Sequence, residues 1–271
     1  MIENPVLTKE MRSRMRGVRG PIIQLAYVAL IIALSAIMYS IFKADQARRG
    51  RAGYGTAQSA DFGHALFLGI STLQISMVCL LAPAFTAGAI SAEHEQRSLD
   101  MLLVTKLKPR AILLGKLGSA LGYVGLLIIS SAPILSVCFM FGGVAPDELV
   151  GTYALLATTG IFFGLTGLFW SCVFRRTMQA TAAAYATVAI LCIVVTVADF
   201  LVYEMTRYQV NDMVFSYLNP IMGVVSVTEW EEMSGEFLFG NVPVWAVTLS
   251  SQILAMPVLL VLSTLLLRRR Q

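Results

Sequence analysis

The 271-residue chain is 57% hydrophobic and only 13% charged, with a mean hydropathy of +0.74 and a formal net charge of +4 at pH 7. That balance excludes a soluble globular domain, and six stretches, each longer than ~20 residues, lack Asp, Glu, Lys and Arg, which is the length a helix needs to cross a bilayer core of ~30 Å. Their continuous apolar character also excludes a barrel of outer-membrane type, whose strands alternate apolar and polar residues.

The expected fold is an all-α integral membrane protein with six transmembrane helices, forming one transmembrane domain over 1–271. Residues 1–20 come first. Leu7, Met11, Met15 and Val18 recur at helical spacing, while Lys9, Arg12, Arg14, Arg16 and Arg19 occupy much of the remaining surface. Such an N-terminal amphipathic helix lies in the interface of an anionic leaflet. Spans follow at about 21–42, 65–91, 117–141, 150–174, 179–201 and 243–267. The first apolar run, about 22 residues, exceeds the 7–15 of a signal-peptide core and reads as an uncleaved span. Six spans put both termini on one side. Fifteen of the 20 basic residues fall there, which the positive-inside rule makes the cytoplasm. The loop after span one dissents, with Lys43, Arg48, Arg49 and Arg51 outside.

Between spans two and three, Ser91 is placed to cap a helix, and Glu93 and Glu95 lie in the first turn, where the helix dipole favours negative charge. Leu99, Leu102 and Leu103 continue as an apolar ridge, so residues 91–104 read as a short amphipathic helix whose face needs a groove to occupy. A nucleotide-binding P-loop, G-x-x-x-x-G-K-[ST], has no match, since Gly115-Lys116-Leu117 carries the wrong spacing. His94-Glu95 opens like a zinc-protease motif, but Ser98 stands where the second histidine belongs, and His64 falls on the other side of the membrane.

Gly115, Gly118, Gly122 and Gly125 share one face of the third span and are expected to serve helix packing. Pro83, Pro133 and Pro257 predict kinks in spans two, three and six. Cys79, Cys138, Cys172 and Cys192 show no pairing in the sequence and read as small apolar residues, with Met77, Met140 and Met178 as packing groups. Asp199, near the outer end of span five, is expected to be interfacial and solvated. The outer segment 202–242 is acidic, yet its apolar patch from Met213 to Val225 fits a re-entrant or interfacial helix pair broken at Pro220. No catalytic, cofactor-binding or metal constellation emerges, and an intramembrane enzyme would want acid, base or nucleophile pairs at bilayer depth.

The run Ala87, Gly88, Ile90, Ser91, Glu93, then Glu95, Ser98, Leu99, Leu102, Leu103, Thr105 and Pro109, closing on Ile112-Leu113-Leu114-Gly115-Lys116, resembles the ATP-binding-cassette (ABC) type-2 exporter permease family. Asn4-Pro5-Val6-Leu7 to Glu10-Met11-Arg12 is similar to that family's N-terminal arm, and the six-span hydropathy extends the likeness over the chain. Two departures stand out: Arg97-Ser98, where members often carry Gly or Thr, and Arg110 after Pro109. The resemblance implies that 91–104 is a cytoplasmic coupling helix docking on a separate ABC ATP-binding subunit through Glu93, Glu95, Arg97, Ser98, Leu99, Leu102 and Leu103. It implies that 2–20 is the connecting helix, that ATP and Mg bind the partner and not this chain, and that a second copy or a related permease completes a dimer. The expected setting is the cytoplasmic (inner) membrane, among lipid and without nucleic acid. A stand-alone six-helix channel or membrane scaffold is the alternative. Helices lined by Gly, Ser and Thr suit lipids, amphiphilic peptides, drugs or polysaccharide carriers alike, so the substrate is not legible.

Overall fold

A computed structural model describes residues 19–48, 56–96, 109–205, 215–228 and 243–268. The described residues form helices and no strands. In order these are α1 (Arg19–Arg48), α2 (Thr56–Thr86), α3 (Ser91–Glu95), α4 (Pro109–Ser130), α5 (Ala132–Phe141), α6 (Pro146–Val173), α7 (Thr177–Ala189) and α8 (Val195–Met205). A π-turn (Ile190–Val194) joins α7 to α8, and a 3-10 turn (Ser216–Leu218) precedes α9 (Pro220–Thr228) and α10 (Val244–Arg268). Six helical runs are long and apolar enough to cross a membrane: Gly20–Ala44, Ala60–Glu95, Leu113–Cys138, Pro146–Val173, Thr177–Val202 and Val244–Leu267. They fall where the apolar runs predict, and the chain is a multi-pass membrane protein.

The fourth span is the hub. α6 packs on α2, α4, α7, α9 and α10. Its small residues let the neighbours approach in lipid, where apolar side chains gain little by leaving the tails. A Cβ on Gly160 would sit 3.4 Å from Val78 and Val124, one on Gly164 would sit 3.0 Å from Leu121, and one on Gly167 would collide with Thr86 Oγ1. One apolar cluster joins Ile75, Val78, Val124, Leu155, Phe163 and Val224 around this hub. A second gathers Tyr27, Ile31, Phe62, Phe67 and Leu135, and a third gathers Ile90, Leu113, Leu117, Leu168 and Leu267 at the α3 end. Serine and threonine are tolerated inside spans because their hydroxyls donate back to the preceding turn, as Ser76 does to Thr72 O (2.7 Å) and Thr166 to Phe162 O (2.8 Å).

Local sequence explains the joints. Pro146 opens α6 with Asp147 and Glu148 in its first turn, and Glu148 accepts the Ala145 N–H. Gly142 and Gly143 take φ of 82° and 81°, a left-handed bend into which a Cβ would not fit, since at Gly143 it would strike Ala60 O. Of the three prolines expected to kink spans, Pro133 sits beside a one-residue interruption: the third span turns at Ser131 and restarts as α5. At Pro83 and Pro257 the helices run on.

Spans two and four have half of their most apolar stretch buried within the chain (50%), whereas for spans one and five the share is 11%. The outward faces of α1 and of α7–α8 are apolar, with Leu25, Ile193 and Phe200 exposed. Met140 and Met178 are exposed as well, so neither serves the packing role expected of it inside this chain. The four cysteines form no disulfides, and Cys79 of α2 and Cys192 of the π-turn pack in one apolar cluster, as small apolar residues would.

Candidate functional site

The stretch that the sequence singles out begins where α2 ends. Ala87–Ile90 form a turn at Gly88, with Ala89 N–H donating to Thr86 O and Ala92 N–H to Gly88 O, and the chain re-enters helix as α3. Ser91 does not cap α3. Its hydroxyl donates to Ala87 O (3.1 Å), and the N–H groups of Ile90 and Ser91 donate instead to Ser171 Oγ of α6 at 2.9 and 3.0 Å. Capping from another span wins because Ser91 is itself fully buried against α6, where its hydroxyl has a nearer carbonyl.

The two glutamates of α3 also reach other spans. Glu93 pairs with Lys116 of α4 at 2.7 Å, with side-chain exposures of 19% and 6%. Lys116 belongs to the third span and not, as the sequence boundary has it, to the preceding loop; only a counter-charge makes an ammonium tolerable at that burial. Glu95, at the last position of α3, accepts hydrogen bonds from Thr177 N–H (3.0 Å) and Thr177 Oγ1 (2.9 Å). It thereby caps the N-terminus of α7, where orphan amides and the helix dipole favour a carboxylate. Within five residues α3 is thus bonded to the third, fourth and fifth spans.

The opposite end of span five is fastened in a comparable way. Asp199 is buried, 7% exposed, and not solvated as expected. Its carboxylate accepts from Phe215 N–H (2.8 Å) and from the Ser216 hydroxyl, so the charge is answered by the start of the 3-10 turn. Asn219 accepts the Ile221 N–H (2.9 Å), which caps α9, and its amide donates to Thr196 Oγ1 (2.7 Å) and to Cys192 O (3.2 Å) in the π-turn. Thr248 of α10 donates to Tyr217 O (2.8 Å). Within the expected outer segment 202–242, 215–228 therefore forms a 3-10 turn and a helix meeting at Pro220, packed against α2, α6 and α10. His64 of α2 lies 3.2 Å from Thr228 O at the end of α9.

Of the residues expected to contact an ATP-binding subunit, Glu93 and Glu95 are described and Arg97, Ser98, Leu99, Leu102 and Leu103 lie outside the described residues, as does most of 2–20. Of the glycine stripe, Gly115 is buried, Gly118 and Gly125 half-buried and Gly122 exposed, and a Cβ on Gly125 would meet nothing within 4 Å. The close approaches occur on α6 instead. Sequence reasoning missed Ser171 and Thr177. Ser171 carries no local signal, whereas Thr177 follows the Arg175-Arg176 break at a helix start, a position that needs an acceptor.

Comparison with curated proteins gives no match. The family model for "ABC-2 family transporter protein" matches residues 5–271, nearly the whole chain. The six-span bundle and the residues from Ala87 to Lys116 agree with that match, and the chain belongs to the ABC-2 family of transporter proteins, membrane-spanning permease subunits of ABC transporters.

Proposed function

We propose that the chain is the permease subunit of an ABC exporter, coupling ATP hydrolysis by a separate ATP-binding subunit to movement of substrate across the membrane. In this reading both termini and residues 91–104 face the cytoplasm, 2–20 lies along the leaflet, and a second copy or a related permease completes the translocating unit. The basic residues at that end support the orientation. One observation carries the reading: the three ties from α3 through Ser171, Lys116 and Thr177 to spans four, three and five.

The ties give a mechanical account. A partner whose two nucleotide states grip 91–104 differently shifts the equilibrium between bundle arrangements, and one that grips both equally shifts nothing. Displacement of α3 would act first on Thr177, because α7 is little buried and its start is held by Glu95. Spans three and four are anchored in the core and would resist.

The test is co-purification of the tagged chain in mild detergent, with the ATPase activity of any bound P-loop subunit assayed. A stoichiometric ATPase, released by Leu102→Arg and weakened in its stimulation by Glu95→Gln, is expected. Clean recovery without an ATPase, under conditions that preserve other membrane complexes, would favour a stand-alone channel or scaffold.

A further inference from the structure

The interior of the bundle holds a layer of polar side chains that neither the apolar core nor the α3 ties account for. Gly160 of α6 faces Val78 of α2 and Val124 of α4. Spans two and four run in the same direction, so two helical turns back from that contact Thr152 comes level with Ser71, and Gln74 lies one turn from Ser71 on the same face. α4 runs the other way and brings its C-terminal end, Ile128 to Ser131, to the same depth. Gln74 Nε2 donates to Ile128 O at 3.5 Å, and the Ser131 hydroxyl donates to the same oxygen at 2.7 Å and lies 3.5 Å from Tyr153 OH. Tyr27 of α1 packs in one cluster with Leu127 and Leu135, on either side of Ser131.

Ser71, Gln74, Ser131 and Thr152 are 0% exposed and Tyr27 is 5% exposed. Yet Ser71 Oγ, Gln74 Oε1, Thr152 Oγ1 and Tyr27 OH have no hydrogen-bond partner among the described residues. The backbone next to them is short of donors too: Pro133 brings no N–H for the carbonyl of Ile129, and the helix breaks at Ser131. Unmet polar groups are costly at bilayer depth, and broken helices are tolerated there where something re-satisfies the freed backbone. The groups are uncharged hydroxyls, phenols and one amide, which suits neither an ion nor a metal but suits a small molecule that both donates and accepts.

We propose that this layer is an internal water site, held by Tyr27, Ser71, Gln74 and Thr152 against the Ser131 break. Water needs ~2–4 polar partners, and this layer supplies them.

The site is tested on the full-length chain in lipid nanodiscs by X-ray radiolytic labelling in H2-18O, read by mass spectrometry. Tyr27, 5% exposed, is expected to take up label several-fold above Phe163, which is 0% exposed and lies in an apolar cluster. Thr152→Val and Ser71→Ala, which preserve shape, are expected to reduce that labelling several-fold and to lower Tm. A dry layer behaves oppositely: wild-type labelling at the Phe163 level, or a rise in Tm when Thr152 becomes Val, overturns the proposal, because removing a truly unpartnered hydroxyl stabilises.

Discussion

Lys116 is buried because Glu93 neutralises it, and the pair is the part of the α3 anchor whose removal should cost most. Deleting one member leaves a charge stranded, at about 3–5 kcal/mol, whereas replacing both by apolar residues of similar size is often nearly neutral. Lys116→Met is therefore expected to lower Tm sharply and Glu93→Leu/Lys116→Met to recover most of it, as a double-mutant cycle on the purified chain would read. Equal losses in single and double variants would mean that the pair contributes nothing as a pair. Ser171→Ala removes the acceptor for the Ile90 and Ser91 amides at the start of α3 and is expected to cost ~1 kcal/mol, the usual value of a lost cap. Chemical denaturation followed by Trp170 fluorescence checks it. These side chains also mark where sequence reading ends. The acidic Glu93 and Glu95 stood out from composition and position, but their partners lie 23 and 82 residues further along the chain, distances that no local periodicity encodes.

At the scale of elements, Asn219 ties three things together: the cap of α9, Thr196 of α8 and a carbonyl of the π-turn. Asn219→Leu keeps the branched shape but frees all three, and should destabilise by ~1–3 kcal/mol while making 215–228 more open to proteolysis. Limited proteolysis compared with Tm separates the local effect from global unfolding. Gly167→Val should be worse, because its branched side chain would meet Thr86, Pro83 and Ala87 where α6 and α2 are closest, and overpacking of that kind costs ~1–3 kcal/mol or more. Recovery of folded protein by size-exclusion chromatography is the measurement. The spans themselves were legible because a run of apolar residues at ~1.5 Å each is a direct ruler against a bilayer. The break was only half legible. Pro133 signals a lost donor, but whether a helix breaks depends on neighbours that re-satisfy the carbonyls, and Gln74 and Ser131 do so for Ile128. The π-turn left no sequence mark at all.

For the molecule as a whole, orientation is the next thing to measure. Residue 271 changed to cysteine is expected to react with a membrane-impermeant maleimide only in inverted vesicles, and reaction in right-side-out vesicles would reverse the proposed topology. Composition placed the chain in a membrane and the Ala87-to-Lys116 run pointed to its family, whereas which faces the chain leaves uncovered came only from packing. A final consequence lies in the π-turn of span five. A π-turn is a helix that has absorbed one surplus residue, and one residue of α-helix is worth about 100° of rotation and 1.5 Å of rise. The span is clamped at Thr177 on one side of that surplus and at Thr196 and Asp199 on the other. If the surplus moves along the helix, the stretch it passes turns and slides relative to both clamps while they stay shut. The fifth span thus carries slack of its own, and its uncovered face can turn by about 100° over a few residues without either end letting go.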